Sequence, residues 1–272
     1  SPVAPVGSTS AMTALTSSLW RQPAAGSRRL ISVASGKGGV GKTWFSITLA
    51  HSLARAGRRV LLFDGDLGLA NVDVQLGVTP ERDLASVIAG QISLDQAVTR
   101  HSAGFDIIAG RSGSGNLATL PASRLLSLRG ELGEFGQNYD CVVLDLGAGI
   151  ERTVRLLASQ SRACLVITTD EPTAITDAYA FIKVSTLERL VDNPQIVVNM
   201  AANQRDGERT YQTLLRACRE FLKIEAKLAG VVRRDDHIKD SIRRQTSLLT
   251  RHPGCDAAVD VEAIAERLAG SL

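Results

Sequence analysis

The run Gly36-Lys37-Gly38-Gly39-Val40-Gly41-Lys42-Thr43 constrains this chain more than any other segment. It follows an apolar run, Leu30-Ile31-Ser32-Val33-Ala34, and opens an apolar-periodic run from Phe45 to Ala54. Strand, glycine loop and helix therefore stand in the order that a phosphate-binding loop requires. The glycines let backbone N–H groups curl around a polyphosphate, and the helix N-terminus adds partial positive charge. Lys42 is placed to reach the β- and γ-phosphates, and the Thr43 hydroxyl to hold Mg²⁺. The competing reading is a glycine-rich turn with two solvated lysines. The flanking strand and helix argue against it.

Beyond the loop, short β-branched runs alternate with helical patterns. The strand candidates are Leu30–Ala34, Val60–Phe63, Phe105–Ile108, Cys141–Leu144, Cys164–Thr168, Gln195–Asn199 and Leu228–Val232. Helical periodicity covers Trp44–Ala56, Leu84–Thr99, Ser123–Phe135, Ala174–Val191 and Arg209–Phe221. Such alternation predicts an α/β fold, a doubly wound and mostly parallel sheet with helices on both faces. Ligands of such a sheet bind at the carboxyl ends of its strands. Residues 1–27, rich in Ser, Ala, Pro and Gly, read as a flexible arm, and 28–272 as one nucleotide-binding domain. Met12, Leu15 and Leu19 keep helical spacing within the arm, either as a docking peptide or as part of a tail without fixed structure.

Several strand ends carry chemistry. Val60-Leu61-Leu62-Phe63 runs into Asp64-Gly65-Asp66, two carboxylates that suit metal or water handling, or an ordinary turn. Cys141-Val142-Val143-Leu144 ends in Asp145 and then small residues, a pattern whose carboxylate holds Mg²⁺ through water. Asn199 closes Ile196-Val197-Val198, where its amide offers a donor and an acceptor to a base edge or simply forms a turn.

The Lys-Gly-Gly-Val-Gly-Lys-Thr run, with its early lysine, resembles the deviant Walker A signature of the MinD/ParA ATPases, a SIMIBI-class branch of the P-loop NTPases. The segment Asp66-Leu67-Gly68-Leu69-Ala70-Asn71-Val72-Asp73 is similar to the flagellar FlhG/FleN members of that family. So is Thr168-Thr169-Asp170-Glu171-Pro172-Thr173-Ala174-Ile175-Thr176-Asp177-Ala178-Tyr179, apart from Asp170 in place of a proline. The resemblance implies an ATP hydrolase that dimerises face to face when ATP is bound. Lys37 would cross the interface to the other subunit's phosphates, and Asp66 would orient the attacking water. Thr43, Asp64 and Asp145 would serve Mg²⁺, and Asn199 would contact adenine. Gly36 through Thr43 and Trp44 would complete the ATP/ADP contacts, with Trp44 standing where the family often has Thr or Ser. A role in flagellar number or polar placement is implied, with a flagellar GTPase or a transcriptional or structural regulator as protein partner. The implied site of action is cytoplasmic, polar or peripheral at the inner membrane. The alternative is a DNA-partition or polar-cargo ATPase of the ParA kind, using Arg216, Arg219, Lys223 and Lys227, which read equally as a solvated helix face.

Composition closes off other classes. Aromatic residues make up only 4% of the 272, and the net charge of +3 neither demands nor excludes an anionic partner. Cys141, Cys164, Cys218 and Cys255 form no C-x-x-C pair, which fits a reducing compartment, and Cys141 and Cys164 read as buried thiols. His51, His101, His237 and His252 show no metal-ligand spacing, so zinc is not expected. No G-x-G-x-x-G supports a dinucleotide fold. No apolar run approaches the ~20 residues that span a bilayer, and no signal peptide is visible. The arm lacks the activator helix of the flagellar relatives. The run Val259–Leu268 is too acidic on its polar face for an interfacial anchor. Membrane binding through it is expected to be weak or absent.

Overall fold

In β1 (Leu30–Ser35), Leu30 and Ala34 pack into one apolar cluster and Ile31 and Val33 into another. Alternation between two buried clusters is what a strand covered on both faces must show. The computed structural model describes residues 27–110 and 120–272. Met12–Arg21 and the rest of the proposed arm, apart from Ser27, lie outside the described residues. The described part holds an eight-stranded sheet of order β3-β4-β2-β5-β1-β6-β7-β8. The further strands are β2 (Val60–Gly65), β3 (Val98–Arg100), β4 (Asp106–Ile108), β5 (Cys141–Ala148), β6 (Ala163–Thr168), β7 (Pro194–Ala201) and β8 (Lys227–Arg233). All pairings are parallel except β3 with β4. The mostly parallel, doubly wound sheet read from the sequence is the fold observed.

Crossover helices follow the strands in turn. α1 (Lys42–Arg55) leaves β1, and short α2 (Val72–Leu76) and α3 (Leu84–Ile88) follow β2. α4 (Ala122–Phe135) precedes β5, and α5 (Arg152–Ala158) follows it. α6 (Pro172–Leu187), α7 (Gln204–Ala217), α8 (Asp236–Arg243), α9 (Leu248–Arg251) and α10 (Asp256–Ala269) complete the described order. Side-chain caps fix several starts. Asp83 accepts from the Ser86 N–H at 3.1 Å, and Asn203 accepts from the Asp206 N–H at 2.9 Å.

The stretch Leu84–Thr99, expected as one helix, is a correction. It breaks into α3, a 3₁₀ turn at Asp95–Ala97 and the edge strand β3. Gly90 and the Ser93–Gln96 hydrogen bonds favour turns there, and β-branched Val98 and Thr99 pair with Ile108 and Ile107. The last turn of the Arg209–Phe221 periodicity widens into a π-helical turn at Cys218–Leu222.

α10 settles the character of the C-terminal run. Ala257, Val261, Ile264, Ala265 and Leu268 are buried, in the apolar cluster that also holds Ile47, Leu49 and Leu53 of α1. Asp260 is turned inward and holds the Arg233 guanidinium at 2.9 and 3.0 Å. Its apolar face is spent on the domain. Among the described residues, no helix is long and apolar enough to cross a membrane.

Candidate phosphate-binding site

The loop Gly36–Gly41 runs from the end of β1 to the first turn of α1. Gly41 has φ +85°, and a Cβ there would collide with the Asn199 amide. At Gly36 a Cβ would collide with the Asp177 carbonyl of α6. Both glycines are therefore required by close backbone approach, and the loop is clamped between β7 and α6.

Lys42 and Thr43 open α1 and converge on Asp145 of β5. The Lys42 Nζ donates to Asp145 Oδ1 at 2.7 Å, the Thr43 hydroxyl to Oδ2 at 2.9 Å, and Ser46 Oγ to Oδ1 at 3.0 Å. Lys42 is 7% exposed and Asp145 fully buried. A hydroxyl and a carboxylate oxygen side by side form the hard oxygen pair that suits Mg²⁺, so Thr43 and Asp145 fit the ion.

Asp64 pairs in register with Asp145 on the adjacent strand β2. Its Oδ1 accepts from the Asp66 N–H at 3.2 Å, and Oδ2 from the Asn71 and Val72 N–H groups, each at 3.1 Å. Burial, and secondly the neighbouring Asp145, push its carboxyl up to about 7. In this arrangement Asp64 organises the turn from Asp66 to Val72, and both oxygens are engaged with backbone. Asp66 Oδ1 takes the Gly68 and Leu69 N–H groups at 3.3 and 3.0 Å and lines the same cavity.

Lys37 sits at the mouth, where its Nζ meets Glu171 at 3.1 Å and Thr173 Oγ1 at 2.9 Å. Asn199 is buried beneath the loop, its Nδ2 donating to the Val40 carbonyl at 2.8 Å. Its Oδ1 has no partner among the described residues. Trp44 is 4% exposed and belongs to the core around α1, with its indole N–H without a partner among the described residues. Together the loop, Asp66, Asn199 and Trp44 line a cavity of about 510 Å³, within the ordinary size for a small-molecule site.

The residues singled out from the sequence for nucleotide and Mg²⁺ line this cavity, apart from Gly36 and the fully buried Asp64 and Asp145. Ser46 was missed, since a serine four residues after Lys42 carries no motif. Also missed was the opposite wall, Arg234, Asp235, Ile238, Lys239 and Ile242. The rule that ligands gather at strand carboxyl ends, applied to β8, would have found it. Of the basic residues of the DNA alternative, Arg219 is held in an ion pair with Glu225 at 2.8 Å, and Lys223 donates to the Glu220 backbone carbonyl at 2.9 Å.

Residues 31–248 match the CobQ/CobB/MinD/ParA nucleotide binding domain. The antiactivator FleN of Pseudomonas aeruginosa is 35% identical over 240 residues, covering 88% of this chain and 86% of the relative. The flagellum site-determining protein YlxH of Helicobacter pylori is 31% identical over 248 residues, covering 91% and 84%. Among solved structures, the septum site-determining protein MinD of Pyrococcus horikoshii, complexed with Mg-ADP, superposes with TM-score 0.75. It is 24% identical and covers 89% of this chain and 96% of that one. The glycine loop with Lys42, Thr43 and Asp145 thus sits within a matched domain that spans most of the molecule, and the chain belongs to the MinD/ParA family of P-loop ATPases.

Proposed function

We propose that this chain is a Mg-ATP-dependent switch that dimerises on ATP and helps position a cellular structure, regulating flagellar number or polar placement. One observation carries the nucleotide part: Lys42 and Thr43 share the buried Asp145 beneath the glycine loop, at the edge of an open cavity. Lys42 exchanges Asp145 for the β- and γ-phosphates, and the loop amides hold the remaining phosphate oxygens. Thr43 and Asp145 hold Mg²⁺, with Asp64 supporting that shell through the strand pairing. When bound, the ion neutralises charge on the phosphoryl oxygens. Asp66 orients the attacking water. Lys37 exchanges Glu171 for the nucleotide of the facing subunit and neutralises charge that develops in transfer. Asn199, set against the loop, contacts the adenine side of the cavity.

The positional role is supported by the relatives' own descriptions, an antiactivator and a flagellum site-determining protein. A flagellar GTPase or a transcriptional regulator is the kind of partner this reading asks for. Light scattering with Mg-ATP, with Mg-ADP and without nucleotide tests the switch: a dimer with ATP alone supports it, and a monomer throughout removes it. Flagellar counts in a strain deleted for the gene test the cellular role, and unchanged number and placement would overturn it. Retention of non-specific DNA on filters only with ATP would favour the partition alternative.

A further inference from the structure

At the carboxyl end of β8 three donors of different chemistry meet. Asp235, His237 and Cys255 each present one ligand atom, and these atoms lie within 4.8 Å of one another. Asp235 caps α8, His237 lies in the first turn of α8, and Cys255 precedes α10. Sequence spacing hides the group, because Cys255 lies 18 positions after His237 (255 − 237) and α9 lies between.

The cluster is held in place by its surroundings. Asp235 Oδ1 accepts the His237 N–H at 3.0 Å, and Oδ2 accepts the Ala257 N–H at 3.1 Å. The His237 ring packs on the His252 ring with centroids 4.3 Å apart. His252 Nε2 is 2.9 Å from Asp240 Oδ2, which leaves Nδ1 of that ring uncommitted to Asp240. A histidine oriented by a carboxylate is the usual outer support of a metal centre.

We propose that Asp235, His237 and Cys255 bind a divalent transition metal of the zinc class, with water or His252 in the fourth position. Carboxylate, imidazole and thiolate together are too soft a set for Mg²⁺ or Ca²⁺, which take oxygen ligands. They match the mixed N, S and O chemistry of tetrahedral Zn²⁺ and its Co²⁺ substitute. The site has a structural consequence. Asp235, Asp236, Ile238 and Lys239 form a wall of the nucleotide cavity, and the ion ties that wall to the start of α10. The competing account is an ion-free capping cluster, in which His237 Nδ1 simply bonds Asp235 Oδ1 at 2.7 Å.

Co²⁺ titration of tag-free, chelator-treated 272-residue chain, without nucleotide, separates the two. One equivalent should produce thiolate-to-metal charge transfer in the near ultraviolet and the intense visible bands of a tetrahedral ion. Cys141, Cys164 and Cys218 are buried, so this thiolate signal belongs to Cys255. Cys255→Ser should remove the charge-transfer band. His237→Gln, at an exposed position, should weaken Zn²⁺ in a chelator competition by about tenfold or more. Circular dichroism checks that each variant folds, and His237→Gln decides alone if Cys255→Ser does not. Absence of a thiolate band in the wild type overturns the site. So does a His237→Gln protein that keeps the wild-type spectrum and affinity.

Discussion

The Lys42 ammonium and the Asp145 carboxylate form a buried ion pair at 2.7 Å, joining the first residue of α1 to β5, one of the two central strands. Charges this deep are tolerable only when paired, and removal of either one leaves the other stranded. The phosphate-binding lysine is thus also part of the fold's own electrostatic balance while no nucleotide is present.

Lys42→Ala is accordingly expected to do two things. Nucleotide affinity should fall steeply, since Lys42 is the cation set at the foot of the glycine loop, whereas Lys37, Arg234 and Lys239 line other parts of the cavity. Stability without nucleotide should also fall, by about 3 kcal/mol, because Asp145 keeps only its Thr43 and Ser46 hydroxyl partners. Isothermal calorimetry reads the first and urea denaturation the second. Normal affinity would remove the phosphate-loop reading.

Lys37→Ala should behave in the opposite way. Its pair with Glu171 is solvent-facing, so stability should change by under about 1 kcal/mol. On the proposed trans role the variant binds ATP yet stays monomeric in light scattering. Glu171→Gln, which removes the ionic partner of Lys37 and leaves the Thr173 hydroxyl, should dimerise at least as well as the wild type. An ATP-dependent dimer of Lys37→Ala contradicts the role.

Asp66→Ala should bind ATP and dimerise but turn over slowly. A carboxylate that orients water matters after the nucleotide is held, so kcat should fall more than affinity. The Asx turn that Asp66 makes with Gly68 and Leu69 offers a control. Asp66→Asn keeps an acceptor for that turn, and near-normal turnover in it would reduce Asp66 to a loop residue.

His51 lowers the stability of the fold in acid. It is 4% exposed, and burial first, then the Arg55 and His101 charges, lower its imidazole to about 4. Between pH 6.5 and 4 the unfolded chain takes up a proton that the folded chain refuses. Stability is therefore complete above that window and drains away as the pH falls through it, by about 3 kcal/mol from this group. Asp64, raised from 3.8 to about 7, acts with the opposite sign across the whole of that window and offsets the histidine in the net curve. Only the difference between wild type and His51→Gln isolates the histidine. Parallel pH–stability curves for the two proteins would refute the assignment.

Anionic vesicles should not retain the 272-residue chain through α10, with or without ATP, since Val261, Ile264 and Leu268 are buried against the domain. Ile264→Ala should instead cost about 2–4 kcal/mol of stability. Co-sedimentation with vesicles that Ile264→Asp abolishes in a folded protein would reverse this conclusion.

The site was legible wherever a local pattern encodes a backbone path. Gly36–Thr43 announces its own turn, and Asp145 ends an apolar strand, so both could be found from neighbouring residues. The pairing of Asp64 with Asp145 needs strand order, which no single segment holds. The wall from Arg234 to Ile242 was missed for the same reason: only the sheet brings the end of β8 to the loop. Leu84–Thr99 misled because its apolar spacing serves both a short helix and an edge strand, and the turn at Asp95–Ala97 decides between them.

β1 lies inside the sheet, with Leu30 opposite Val142 and Ile31 opposite Ala163. Its hydrogen-bonding neighbours are thus 112 and 132 residues away in the chain (142 − 30 and 163 − 31). During synthesis the glycine loop emerges early but has no flanking strands until β5 and β6 have left the ribosome. Pairings this distant carry a large loop-closure cost and form slowly. A nascent chain stalled before Ala163 would carry the glycine loop, Asp66 and Asp145 without β6 beside β1, and should bind no nucleotide. The glycine loop, translated ahead of both neighbours of β1, therefore takes its binding-ready shape only after they have been made.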